Sequence, residues 1–452
     1  MKVALQDSQQ KSSTAKHISV IETTYKNNAS SDYTGKINDL RKAFDYESNS
    51  HVYWGEPQLS IFYGTPLYEQ ASETQRLGLN HLYWVSQYHH TAAAEANTML
   101  YNQVTCGVFE KLKGYDTLCK ELTFETEQER FHINTFRTIG YRTKLALMGR
   151  ESLIKSVQKK TYDYKKTPLK ETFYSQLLEM TKVKLNIVQE AAFRAVTGLM
   201  LSQSTDYTSS FLETKGYSGI PTTSGGLAGV TAPPSIFKFL TLNWGGSPFM
   251  AAQYYSARMI ANMSLKIYEH KYYQRFRELD KCGSHIPTPL AVSYYHLLDE
   301  SFHTTISQLI AQRLYKDFKP PTMYEKALAN AIIFQLQRGL MGGLSGAMPA
   351  VFRNDSAFMP ALYRLLTSDL FGFSQQDALI WLERCLCYEH DGFYVNQSFH
   401  QTLLKDLRRF FEPLEYLWTV NREMQLMAQG NSISEALNRN RIALQAFSQS
   451  LI

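Results

Sequence analysis

Two segments of the chain carry glutamate three positions ahead of histidine: Glu129 and His132 in "ERFH", and Glu300 and His303 in "ESFH". None of the other ten histidines has that spacing. A further histidine precedes the second pair, His296 in "YYHLLDESFH". At 100° per residue, His296, Glu300 and His303 fall within about 60° of one another on a helix and share one face. That helix is otherwise apolar, and an unpaired charge buried there would cost several kcal/mol. The group must be solvated, paired or bound to a metal.

Two lone glutamates extend the pattern. Glu95 in "HHTAAAEANTMLYNQ" has small and apolar neighbours and no charged partner on its own helix. Glu190 in "LNIVQEAAFRAV" is also in an apolar stretch, although Arg194 four residues on offers an ordinary surface pair. In chain order the set reads Glu, Glu-x-x-His, Glu, Glu-x-x-His on four successive helices, which is the ligand plan of a carboxylate-bridged dimetal site inside a four-helix bundle. Carboxylates bridge two cations and change denticity, while neutral imidazoles hold each metal and leave positions for O2. Iron suits this donor set, with manganese as the alternative. A cysteine-free site argues against structural zinc and iron–sulfur clusters.

Other features point to no chemistry of their own. His89, His90, His270, His285, His390 and His400 stand in no comparable context, and "GLMGGLSGAMPA" (339–350) lacks phosphate-loop or nucleophile-elbow spacing. The five cysteines form no CxxC and are odd in number, so reduced thiols are expected, with Cys385 and Cys387 in the core. Net charge is +6, with 41 acidic residues dispersed among 47 basic ones, and no basic stripe marks a nucleic-acid partner. The N-terminus has no signal-peptide core and no apolar run spans a membrane, which predicts a cytoplasmic protein.

The 452 residues, 44% hydrophobic, suffice for a large core. Residues 1–50, poor in large aliphatics, read as a flexible N-terminal arm. Residues 51–320 read as the dimetal domain. Within it, Ser72 and Gln75 form a capping box for a helix to about Gly107, a second helix covers about Thr123–Met148 with Gly149 as its stop, and a third runs from about Pro168 to Gln203. Gly, Ser, Thr and Pro break the pattern over 205–235, inside an insertion of about 205–285. Helices resume at Pro248–Leu279, Pro289–Leu314, Met323–Gly342, Gln375–Glu389, Leu403–Gln429 and Ile433–Ser450. Residues 321–452 read as a helical extension on the core. The expected fold is all-α: a ferritin-like four-helix bundle with added helices.

The triad His-x-x-x-Glu-x-x-His, with "ETEQERFH" and the lone glutamates, resembles the diiron arylamine N-oxygenases typified by p-aminobenzoate N-oxygenase. That resemblance implies Glu95, Glu129 and His132 on one iron, Glu190, His296, Glu300 and His303 on the other, and Glu129 and Glu300 as bridges. It spans roughly residues 70–315. Two departures stand out: about a hundred residues separate Glu190 from His296, and the chain continues well past the last ligand. The larger format, with "SIFYGTPLYEQAS" before the first ligand helix, is similar to the cyanobacterial dimetal-carboxylate halogenases of the cylindrocyclophane type. This second resemblance implies O2- and chloride-dependent chlorination of an unactivated carbon of a fatty acyl chain on an acyl carrier protein. It also implies an external electron donor, with a homodimer allowed. The alternatives are amine N-oxygenation with the same ligands and a non-catalytic ferritin-like metal-binding protein.

Overall fold

The computed structural model describes residues 2–157, 195, 206–215, 234–348, 355–428 and 432–451. Among these the regular structure is helical, without a strand. The helices are α1 (Lys2–Ser30), α2 (Thr34–Ala43), α3 (Pro66–Gln70), α4 (Glu73–Phe109), α5 (Asp116–Val157), α6 (Ser210–Lys215), α7 (Pro234–Trp244), α8 (Pro248–Lys281) and α9 (Thr288–Gln312). They continue with α10 (Met323–Met341), α11 (Asp355–Leu366), α12 (Gln375–Leu386), α13 (Asp391–Phe411), α14 (Thr419–Glu423), α15 (Gln425–Ala428) and α16 (Ile433–Gln449).

Local chemistry sets the main boundaries. Ser72 and Gln75 cap α4 reciprocally, as the sequence predicts. Ser247 accepts from the Met250 amide, and Pro248 in the first turn starts α8. Gly149 interrupts α5 with φ 73°, a conformation in which a side chain is strained, at the predicted stop. The helix expected over Leu403–Gln429 is instead the end of α13 followed by two short helices, because Pro413 cannot continue a helical ladder. The helix expected over 168–203 lies outside the described residues, as does the middle of the 205–235 segment.

Two hairpins make the core. Helix α4 folds back on α5, α8 folds back on α9, and α4 packs across α8. The four form a bundle whose interior is rich in aromatic side chains, among them Trp84, Tyr88, Tyr255 and Tyr272, all fully buried. Trp84 on α4 donates its indole N–H to Ser293 Oγ on α9 at 2.8 Å, which satisfies the one polar atom of a large buried ring. Helix α8 falls in the span expected to be insertion, yet it is one of these four bundle helices.

The first fifty residues also differ from the expected arm. Helices α1 and α2 lie along α5 and α9, with Ile21, Asn28, Ile37 and Phe44 buried. Much of this docking is polar: Asn28 donates to Glu121 Oε1 at 2.9 Å, and His17 Nδ1 meets Asp317 Oδ2 at 2.8 Å. A segment attached in this way needs few aliphatic residues, so its composition resembles that of an unattached arm. Among the described residues no helix is long and apolar enough to cross a membrane.

Candidate metal centre

Antiparallel pairing brings the chemistry-bearing residues together. Glu95 on α4 and Glu129 on α5 stand equally far, seventeen residues, on either side of residue 112 in the connecting turn. Glu269 on α8 lies fourteen residues before Gly283, and His296 on α9 thirteen after it. Each hairpin therefore faces its pair across the same level of the bundle, and the hairpins face each other.

Two groups result. Glu95, His132, His296 and Glu300 can each offer one ligand atom within 4.8 Å of the others, and so can Glu125, Glu129 and His303. All seven are buried. Six of the seven residues chosen from sequence thus meet in one place. The seventh, Glu190, lies outside the described residues. On the described helix opposite His296, the carboxylate is Glu269, whose Oε1 is 3.5 Å from His296 Nδ1.

The histidines are held by fixed partners. Asp299 Oδ2 accepts from His132 Nε2 at 3.2 Å and Gln128 Oε1 accepts from His303 Nε2 at 2.9 Å. Both rings therefore turn Nδ1 inward: His132 to Glu129 Oε2 at 3.2 Å, His303 to Glu300 Oε1 at 2.7 Å and Glu129 Oε1 at 3.5 Å. Orientation of a ligand imidazole by a carboxylate or carbonyl on its far nitrogen is usual in metal sites. His296 has carboxylates on both nitrogens, with Glu95 Oε1 2.9 Å from Nε2.

Electrostatics show what the cluster lacks. Burial, then the Glu129 charge, push the Glu95 carboxyl well above its ordinary range. Burial and Glu300 push Glu269 up to about 8. Burial and the Glu300 charge act against ionised Glu129, but the neighbouring His132 and His303 imidazoles prevail and hold it at about 2. His132 is opposed by burial and raised by Asp299 and Glu129 to about 10, whereas burial and the His132 charge push His296 down to about 3. The groups share too few protons for so many acceptors. Glu95 Oε2, Glu129 Oε1 and His296 Nδ1 are buried with no hydrogen-bond partner among the described residues, a costly state for polar atoms unless a cation serves them.

Formal charge gives the size of the deficit. Glu95, Glu125, Glu129, Glu269, Asp299 and Glu300 converge here, with Arg258 and Lys266 as the cations beside them. With these carboxylates ionised and the histidines neutral, as metal ligation requires, six carboxylates against one guanidinium and one ammonium among the described residues leave four negative charges, which two divalent cations would balance. The donor set, with no sulfur, fits hard or borderline metals. The residues present therefore fit a dimetal centre.

Sequence reasoning missed Glu125, Asp299, Glu269, Arg258 and Lys266. Glu269 sits in "LKIYEHKYY", where flanking charges resemble a solvated face. The signal that finds it is register. Once α8 and α9 are taken as a hairpin turning at Cys282–Gly283, the residue opposite His296 is Glu269. Arg258 and Ser307 obey the same symmetry and are hydrogen-bonded at 3.1 Å.

A helical bundle that buries facing carboxylate–histidine clusters resembles the dimetal-carboxylate class of proteins. Within that class the assignment is specific: a family model described as acyl halogenase, CylC-like, matches residues 16–448, and the chain belongs to that family. It is accordingly an enzyme of a halogenase family. No curated protein and no solved structure matches the chain.

Proposed function

We propose that the protein is a dimetal-carboxylate halogenase that chlorinates an unactivated carbon of a fatty acyl chain carried on an acyl carrier protein. The observation that carries the reading is the buried pair of clusters in a chain whose family model names an acyl substrate and a halogen. By their grouping in space, Glu95, His132, His296 and Glu300 would hold one metal, and Glu129 and His303, with Glu125 beside them, the other. Glu269 takes the remaining carboxylate position in preference to Glu190, because it faces His296 within the bundle. Iron, or iron with manganese, would supply the O2 chemistry that breaks a strong C–H bond.

The chain's own residues do the rest. Asp299 and Gln128 hold the imidazoles in register. Glu129 faces both His132 and His303, Glu300 faces both His303 and His296, and these two carboxylates would be the bridges. The aromatic wall of Tyr88, Phe136 and Tyr272 keeps water from the His296 side. Electrons come from an external donor.

The test is metal analysis and O2 uptake by the reduced protein, with and without chloride, followed by mass spectrometry of a medium-chain acyl carrier protein. A chloride-dependent mass gain with the chlorine isotope pattern supports the reading. Two metals and O2 uptake without chlorinated product would favour amine oxygenation, and absence of bound metal would overturn both.

A further inference from the structure

A halogenase must place a halide beside its metals, and the candidate ligand set lacks no carboxylate whose absence would make room. The structure offers a different solution on α8. Arg258 is only 7% exposed. Its Nη1 is engaged twice, by Glu125 Oε1 at 2.6 Å and Ser307 Oγ at 3.1 Å. Among the described residues its Nη2 has only a long approach to Glu129 Oε1, 3.6 Å, and its Nε has no acceptor. Glu129 Oε1 is itself without a hydrogen bond. The Nε–Nη2 edge of this guanidinium therefore carries a buried Nε–H without an acceptor, beside an Nη2 that approaches a candidate ligand oxygen at 3.6 Å. Buried donors in that state call for an acceptor.

We propose that the Nε–Nη2 edge of Arg258 is the docking point of the halide, holding it between α8 and the metal position served by Glu129 and His303. The assignment rests on the halogenase reading above and adds to it the place of the anion. Two donors on one rigid edge suit an anion that accepts from both. The guanidinium is bordered by Glu125, Glu129 and Ser307, which favours a small, monatomic anion over a larger one. Asn262, one turn along α8 and about 40° around it, also has an unpartnered buried amide N–H on this side of the helix. Arg258 Nη1 also meets Glu125 Oε1 at 2.6 Å, so this carboxylate of the Glu125, Glu129 and His303 group stands between the guanidinium and the metal position.

The charge balance sets a condition. Without metals the surrounding carboxylates repel an anion, so halide binding at Arg258 depends on metal loading. The experiment is diffraction at the bromine edge from metal-loaded protein in bromide, with halide titrations followed by the metal's absorption or electron paramagnetic resonance. Wild type is expected to show a bromide within hydrogen-bond reach of Arg258 Nε, and the metal-free protein none. Arg258→Lys, which keeps the charge and loses the planar edge, should bind the same metals but need at least tenfold more halide for half the spectral change. Arg258→Gln should lose the halide response. Bromide seated elsewhere, or an unchanged titration in Arg258→Lys, overturns the assignment. If wild type chlorinates its acyl substrate while bromide sits away from Arg258, only this site falls. If wild type forms no chlorinated product and shows no halide response, the halogenase reading fails and takes the site with it.

Discussion

Gln128 Oε1 accepts from His303 Nε2 at 2.9 Å, and the same amide donates through Nε2 to Asn28 Oδ1 on α1 at 3.1 Å. The ring orientation of an inner histidine is thus tied to the first helix of the chain. A parallel tie runs through Asp299, whose Oδ2 holds His132 while its Oδ1 accepts from the Tyr33 amide at 3.1 Å. The N-terminal helices buttress the centre on both histidines that have glutamate three positions earlier.

Gln128→Leu removes the acceptor from His303 Nε2 and leaves the ring free to turn Nδ1 away. Metal affinity is expected to fall about 10- to 100-fold, read by competition with a chromophoric chelator, with helical content unchanged. Asn28→Leu should fall in the same direction by less. Wild-type affinity in Gln128→Leu would show that packing alone orients the ring.

Much of this centre is legible from residue types and spacing, because Glu-x-x-His and His-x-x-x-Glu-x-x-His encode a shared helix face within one element. What spans elements is harder to read. Glu269 and Arg258 become visible only when the turn at Cys282–Gly283 fixes which residues of α8 face α9, and their charged neighbours Lys266 and Lys271 mask them in composition. Helix α1 is missed for a related reason. Its attachment through Asn28 and His17 uses polar atoms, so no apolar stripe marks it.

Substitution at the fourth carboxylate separates two candidates. Glu269 faces His296 Nδ1 at 3.5 Å. Glu269→Ala is expected to lower the bound metal from two toward one per chain, measured by elemental analysis after gel filtration. Glu190→Ala is expected to retain two. The reverse result would return Glu190 to the place that the resemblance to the N-oxygenases gives it.

Metal removal should destabilise the fold, because the cations bind the folded cluster and offset four formal negative charges. At free metal a hundred times the dissociation constant, linkage gives about 2.7 kcal/mol for each independent site. Chelator-treated protein is therefore expected to unfold at lower urea than loaded protein, and re-addition of a divalent metal should restore the midpoint. Equal midpoints would mean that the folded cluster does not bind the metal more tightly than the unfolded chain does, against a dimetal centre.

Glu121 allows a pH test away from the candidate ligands. It is fully buried on α5, where burial pushes its carboxyl up to about 7 against the lowering effects of the Asn28 hydrogen bond and the His303 charge. The folded state thus holds a proton that the unfolded chain releases near its ordinary value of 4.5. Stability from this group is fully present below about pH 4.5 and is lost as pH rises through about 7, on the order of 3 kcal/mol in all. Glu121→Gln keeps an oxygen for the Asn28 amide and cannot ionise. Its urea midpoint should match wild type near pH 5 and exceed it near pH 8. If the difference between the two proteins does not change with pH, Glu121 does not carry that proton, and the chain from Asn28 through Gln128 to His303 is anchored to a charged carboxylate instead.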